Sequence, residues 1–524
     1  MVTTTTGRPG VSVIETLNAL TSVATPQEEA LAAFVGTHNA GPAVPVKINS
    51  WSQWKALYGG FGTGSDILPY SVYEYFNNGG GTAWIVRAVP ADSTYASVVL
   101  NDLGTGGAGG TTPQPLLTLT AIAPGSTGND LYIDVTAASG NTGRFSLTLR
   151  QGSASATPLE RYVDVSLDPS DSRNLVAMIG AQNSGSQYLT AVYNGSATWD
   201  YRYSPASQSG TPLSGGTDGT ATVDLVAATK LLAPSTVNGI LNINLPGVSD
   251  ATVINPLVTW AEDSGDRFLV VDGPASSGLY ADTLAAYENM SPLGASTGTP
   301  LAKSSYLAVY GPWLNFSNPS SSVAGSTRPL PPGGALLGLY AKADRDAGPQ
   351  QSAAGVDYPV IGAVSAQVQF ANADLDALNE LGINVIRPVP GSTGLIPMGA
   401  RTLATGMPDR YIAIRRTLMY IRRLCIQRSA FAVFRPNNSD LWGQISSILT
   451  DELSTLQQSG VLRGSTASEA FYVRCDETNN TDNSVSNGIV NIEVGVALNT
   501  PSEYIIIQIG QMASGATSSD TLAS

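Results

Sequence analysis

The chain has 524 residues, room for several hydrophobic cores, and 42% of them are hydrophobic, so it is globular. Only 13% are charged, and Gly, Ser, Thr, Ala and Asn stand in their place. The formal net charge of −14 argues against nucleic acid and anionic membranes as partners, because phosphates demand Lys and Arg. Two cysteines without paired spacing, Cys425 and Cys475, do not make a disulfide scaffold. No run of about 18 apolar residues reads as a membrane span. MVTTTTGRPG lacks the charged and apolar regions of a signal peptide, so folding in a reducing cytoplasm is expected.

In chain order, PGVSVIE (9–15) reads as a short strand after a Pro-Gly turn, and LAAFVG (31–36) as a buried strand. SWSQWKALYGG (50–60) predicts a helix with Ser50 as N-cap and Gly59 as stop. LPYSVYEYFNNGGG (68–81) repeats the pattern: Pro69 starts a helix, Leu68, Val72, Tyr75 and Phe76 share a face, and glycines end it. TAWIVRAV (82–89) follows as a strand, and this αβ unit implies a mixed or parallel sheet. From 91 to 213 the texture changes. Alternating stretches such as LYIDVTA, FSLTLR and RYVDVSL, separated by polar turns, predict a β-rich module with one helix near 171–181. LSGGTDG (213–219) is the linker out. From 220 to 400 the α/β grammar returns, with a helix at 252–262 before DRFLVVDGP. Two long helices follow at about 409–428 and 439–459, then the strands AFYVRCD (470–476) and IVNIEVGVAL (489–498). The predicted fold class is a multidomain α/β (α+β) protein. Residues 20–90 and 219–400 form a mixed-sheet core, 91–218 an inserted β-rich outer domain, and 401–500 a C-terminal α/β domain. Residues 1–19 form an N-terminal arm, and 501–524 a C-terminal arm with a Gly/Ser/Thr/Ala-rich tail.

Motifs for catalysis or cofactors fail on context. GTGGAG (104–109) has the dinucleotide spacing but is followed by Thr-Thr-Pro, which does not open a helix. GASTG around Ser296 has the spacing of a nucleophile elbow, yet a helix precedes it and no histidine lies downstream. The sole histidine, His38, cannot build a His-based zinc site and reads as solvated or capping. None of the five lysines follows a glycine, so there is no phosphate-binding P-loop. CDETNNTDN (475–483) departs from the calcium-loop pattern at Thr478 and reads as a polar loop. The expectation is no catalytic residue, no metal site and no cofactor.

RYIAIRRTLMYIRRLCIQR (410–428) is the strongest amphipathic signal. Ile414, Leu418, Ile421 and Cys425 recur at heptad-like spacing beside a double stripe of Arg415 with Arg422 and Arg416 with Arg423. Two readings stand: a core helix whose arginines pair with the chain's own carboxylates, or a docking face for an acidic partner. The following helix has Trp442, Ile445, Ile448, Leu449, Leu453 and Leu456 on one face, with Asp440, Asp451 and Glu452 outside. Near the end, PSEYIIIQIG (501–510) sets Ile505, Ile507 and Ile509 on one face and Tyr504, Ile506 and Gln508 on the other. Such a strand needs a partner, in its own domain or in another chain.

The succession of these segments resembles the contractile tail sheath family of phages, pyocins, type VI secretion and related injection devices. The segments are PGVSVIE, AAFVGTHNAGPAVPVKINSWSQWKALYGG, LPYSVYEYFNNGGGTAWIVRAV and LSGGTDG, then GINVIRPVPG, GARTL, RYIAIRRTLMYIRR, FAVFRPNN, GVLRG, AFYVRCDETNN, IEVGVA and PSEYIIIQI. The likeness covers roughly 1–90 and 220–510 and leaves out 91–213. It implies a structural polymer rather than an enzyme: hexameric rings stacked as a helical sheath around an inner tube, with baseplate and tail terminator proteins at its ends. It places the protein in the virion tail, assembled in the host bacterial cytoplasm. Val11, Val13 and Ile14, and Tyr504, Ile505, Ile506, Ile507 and Ile509, would be strands lent to neighbouring subunits. The acceptor sheet would carry Phe471, Val473, Ile489, Ile492 and Val494. The tube contact would lie on Arg415, Arg416, Arg422 and Arg423, or on Asp451 and Glu452. Rival classes are a secreted or surface β-rich carbohydrate-binding protein, suggested by the Thr/Ser/Gly-rich module, and a hydrolase using the Ser296 loop.

Overall fold

The computed structural model describes residues 31–62, 66–102, 113–138, 143–181, 185–195, 204–406, 409–499 and 501. The chain begins with β1 (Leu31–Gly36) and β2 (Val46–Ile48). Next comes α1 (Trp51–Tyr58), capped by the Ser50 side chain at its start and by Gly59 at φ 82° at its end. In α2 (Leu68–Asn77) Pro69 occupies the first turn, where its missing N–H costs nothing. β3 (Ala83–Arg87) completes the unit.

A run of mostly strands follows: β4 (Tyr95–Asn101), β5 (Pro115–Pro124), β6 (Leu131–Ala137), β7 (Phe145–Gln151), β8 (Glu160–Val165), α3 (Leu175–Ile179), β9 (Leu189–Tyr193) and β10 (Gln208–Pro212). They form two antiparallel sheets, β4-β5-β9 and β10-β6-β7-β8, over a hydrophobic core of their own. The predicted helix at 171–181 is only the five residues of α3. The two connections of this module run side by side. Thr94 and Thr217 exchange backbone hydrogen bonds, and the Asp92 carboxylate accepts from the N–H groups of Thr220 and Ala221. Arg87, at the end of β3, donates to the Pro124 carbonyl at 2.6 Å.

The α/β part then resumes with α4 (Leu225–Lys230), β11 (Leu241–Asn244), α5 (Ala251–Ser264), β12 (Arg267–Asp272), α6 (Tyr280–Met290) and β13 (Leu307–Gly311). After β14 (Leu314–Ser317), β15 (Thr327–Leu330), α7 (Gly333–Asp346), β16 (Ala363–Ala366) and α8 (Asn372–Glu380) come β17 (Ile383–Pro388) and β18 (Leu395–Pro397). The central sheet has eight strands in the order β18-β17-β13-β12-β11-β1-β3-β2. Strands β17, β13, β12, β11, β1 and β3 run parallel, and β18 and β2 close the edges antiparallel. A parallel sheet covered on both faces needs unbroken apolar strands, and all six residues of β12 and all five of β13 are buried. β14, β15 and β16 form a separate three-stranded sheet.

The C-terminal part contains α9 (Ile412–Ser429), α10 (Ser439–Gln458), α11 (Ala467–Ala470), β19 (Phe471–Arg474), α12 (Asp482–Ser486) and β20 (Glu493–Val496). α10 is capped by Asn438 and buries Leu441, Ile445, Leu449, Leu453 and Leu456. Among the described residues no helix is long and apolar enough to cross a membrane.

Candidate assembly interface

β19 and β20 pair antiparallel, with Phe471 opposite Val496, Tyr472 opposite Gly495, Val473 opposite Val494 and Arg474 opposite Glu493. Alternation gives this two-stranded sheet one apolar face, Phe471, Val473, Val494 and Val496, which packs toward the interior. Leu441, Ile445 and Leu449 of α10 form a cluster with Cys475, against which Val473, Ile492 and Val494 pack. The other face is polar. Tyr472 donates to Glu493 at 2.7 Å, Arg474 pairs with Glu493 at 3.1 Å, and the Arg474 guanidinium lies over the Tyr472 ring. Gly495 makes room for that ring, since a Cβ there would fall 2.1 Å from it.

Two local devices hold the sheet in place. A capping box of Thr466 and Glu469 starts α11, whose end turns directly into β19. The buried Asn480 side chain accepts from the Asn491 N–H at 2.6 Å and donates to the Asn491 carbonyl at 3.0 Å. That amide imitates a strand partner just before β20. The predicted acceptor strand 489–498 is therefore corrected to Glu493–Val496, with Ile489 and Ile492 outside it. The bond from the Ala497 N–H to the Ala470 carbonyl fixes the ladder phase. Tyr472, Arg474, Gly495 and Glu493 turn their main-chain groups inward, and Val473, Val494 and Val496 aim theirs outward. Neither edge of this sheet meets a further strand among the described residues.

For Arg415 and Arg416 of α9 the structure follows the first of the two readings, a core helix whose arginines pair with the chain's own carboxylates. Arg415 and Arg416 are each only 3% exposed. Arg415 donates to Asp409 at 2.8 Å and lies over the Tyr306 ring; Arg416 pairs with the buried Asp344 and lies over the Tyr340 ring. Arg422 donates to the Ser264 carbonyl and Arg423 to Asn238. Arg415 and Arg416 face inward because two tyrosine faces and two carboxylates receive them. Arg415 and Arg416 are thereby turned away from solvent, while Arg422 and Arg423 stay half-buried. On α10, Glu452 pairs with Arg428 at 2.7 Å, while Asp451 is exposed in line with Asp440, Gln444, Ser447 and Thr455.

The rejected motifs have quiet surroundings. Ser296 Oγ donates to Asn289 Oδ1 at 3.2 Å. His38 is buried rather than solvated: Nε2 donates to the Tyr58 carbonyl at 2.8 Å and Nδ1 lies 3.0 Å from Asp66. Asp476 accepts from the Thr478 hydroxyl and, at 2.8 Å, from its N–H, which lowers the Asp476 pKa as an ordinary polar turn does. Among the described residues no group of three or more His, Cys, Asp and Glu is placed to hold a metal ion. GTGGAG (104–109) lies outside the described residues.

Solved structures share this architecture. The sheath tail protein from Listeria innocua superposes with a TM-score of 0.58 at 15% identity, over 90% of this chain and 96% of that one. The sheath complex of the extracellular contractile injection system PVC, in its contracted state, gives 0.56 at 19% identity, over 97% and 99%. The chain has the contractile sheath fold. A chain of the anti-feeding prophage baseplate shares that fold with a TM-score of 0.55 at 20% identity, over 97% of this chain and 100% of that one. No family model and no curated protein matches the chain.

Within the sheath fold, the structure brings Phe471, Val473, Ile492 and Val494 together over α10. The arm residues Val11, Val13, Ile14, Tyr504, Ile505, Ile506, Ile507 and Ile509 lie outside the described residues. Sequence reading missed Gly495 and Asn480. For Gly495 the available signal is an isolated glycine inside a predicted strand. Asn480 carries no such signal, because its sequence neighbours are those of any polar loop.

Proposed function

We propose that the chain is the structural subunit of a contractile sheath, in a phage tail or a related injection device. Its role is mechanical rather than catalytic. The observation that carries the reading is the two-stranded β19/β20 sheet, open at both edges among the described residues, in a chain with the sheath fold. The N-terminal strand around Val11, Val13 and Ile14 and the C-terminal strand 504–509 complete it, each lent by a different neighbour. Strand addition takes affinity from main-chain hydrogen bonds and register from alternating side chains. Each bond nets about 1 kcal/mol, and each buried isoleucine adds about 1.5–3 kcal/mol. Single arms are modest ties, but every subunit is held by several.

Subunits joined in this way form hexameric rings stacked around an inner tube, between baseplate and terminator proteins, in a virion assembled in the host bacterial cytoplasm. Contraction drives the tube through the host envelope. It converts a metastable extended lattice into a more compact one, with arms that stay paired while the subunits rotate, and requires no nucleotide. The module between β3 and β11 faces outward, because its ends adjoin and its core is its own. The tube contact falls to the exposed polar stripe of α10 around Asp451, since Arg415 and Arg416 of α9 are buried in internal pairs. Charged and polar contacts of that kind release during sliding without exposing a large apolar patch.

Negative-stain microscopy of the purified chain tests the proposal. A sheath subunit forms long tubes or stacked rings as protein concentration rises. A carbohydrate-binding protein or a hydrolase stays a discrete particle, and that result would refute the reading.

A further inference from the structure

We propose that Phe434 clamps the C-terminal strand of a neighbouring subunit, on an apolar patch that prolongs the β20 edge left unpaired among the described residues. This rests on the strand-exchange reading above and adds to it a new residue and a location.

Phe434 lies in the turn between α9 and α10. It is 88% exposed, the barest large hydrophobic residue among those described. Its φ is 67°, a left-handed conformation that bulky side chains rarely adopt. Turns at such a φ ordinarily use Gly or Asn. A phenylalanine held in an unfavourable conformation and presented to solvent points to a constraint other than folding.

The turn is fastened to the segment that leads into β20. Asn437 donates to the Ile489 carbonyl at 3.0 Å, and the Trp442 indole donates to Asn437 at 2.7 Å. Ile489 is itself 45% exposed. Phe431, Trp442, Val490 and Ile492 pack on the α10 cluster. The edge therefore does not stop at Glu493. Asn491 turns its N–H and C=O inward to Asn480, so backbone alternation aims Val490 and Ile492 outward, in line with Val494 and Val496. From 490 to 496 this edge runs about 20 Å at ~3.3 Å per residue.

The occupant is the segment Tyr504–Gly510 of a second copy. It has the same number of residues as the edge, and its Ile505, Ile507 and Ile509 form one apolar face. The β19 edge is less suited, because the Phe471 N–H is already bonded to the Ala467 carbonyl. The subunit's own segment is disfavoured. Ala497 is pinned to Ala470 and Arg463, Leu498 is buried, and Pro501 opposes a helical or tight-turn conformation in the residue before it. The strand thus continues the proposed interface and covers apolar surface that is exposed among the described residues.

The test is photocrosslinking in the full chain. Phe434→p-benzoylphenylalanine protein is co-assembled with isotope-labelled wild-type protein and irradiated, and the captured peptides are identified. The proposal expects labelled peptides from 502–510, that is, from another copy. It also expects Phe434→Asp to raise the concentration needed for assembly by about tenfold with unchanged melting of the monomer. Capture within the same copy, capture of a different region, or normal assembly of Phe434→Asp would overturn it while leaving the sheath reading intact. If wild-type protein forms no tubes at any concentration, the sheath reading falls and this inference falls with it.

Discussion

Arg416 and Asp344 show how much single residues of this chain depend on distant partners. Their side chains are 3% and 4% exposed, and burial raises the Asp344 pKa against the opposing pull of Arg416. Removing one member of a buried pair strands the other, at a cost of about 3–5 kcal/mol. Arg416→Met is predicted to lose that much in denaturant unfolding, and Arg416→Met with Asp344→Leu to recover most of it. The helix pattern makes these arginines visible but leaves their direction open. Tyr306 and Tyr340, which receive them, belong to other segments and give no local sign of it. Asp272 supplies another prediction. It accepts from Asn244, Gly247 and Gly333 at 3.0, 3.0 and 2.6 Å, and burial pushes its carboxyl up to about 6. A carboxyl raised in the folded state favours the protonated native form, so the penalty for burying its charge is absent below about pH 4 and complete above about pH 6. The stability of wild type relative to Asp272→Asn should therefore fall on going from pH 4 to pH 7, by on the order of 3 kcal/mol. A difference that does not move with pH would contradict this account.

At the scale of elements, the sheath proposal makes assembly depend on the small sheet of β19 and β20. Gly495 is its weakest point for substitution, because any Cβ meets the Tyr472 ring at 2.1 Å. Gly495→Val is predicted to cost about 1–3 kcal/mol through overpacking. Hydrogen exchange should speed up in β19 and β20 while the central sheet keeps its protection, and assembly should fail. Elements with strong local signals are legible in the sequence: β1 runs from Leu31 to Gly36 as predicted, α1 has its Ser50 cap and Gly59 stop, and α10 follows its apolar stripe. β20 is shorter than its apolar run because an asparagine side chain replaces strand pairing at Asn491. α7 escapes sequence reading altogether. Its Pro-Pro-Gly-Gly start has the composition of a loop, yet the glycines are what let it approach α2: a Cβ at Gly334 would lie 2.2 Å from the Ser71 carbonyl oxygen, and one at Gly338 2.6 Å from that of Tyr75.

Across the whole molecule, the alternating periodicity that sets residues 91–213 apart is visible in the sequence. The way the two connections of this module join, through Asp92 and the Thr94–Thr217 pair, is not, because those contacts span more than a hundred residues. The same holds for the proposed assembly interface: the sequence displays an isoleucine-rich strand in need of a partner, and the fold supplies a two-stranded sheet whose edges meet no further strand among the described residues. Deleting residues 502–524 tests the connection between them most directly, with melting and sedimentation velocity measured on one preparation. The sheath account predicts a folded, soluble monomer that melts like the full chain and forms no tubes at any concentration. A truncated chain that is unfolded, or one that still assembles ordinary tubes, would contradict it.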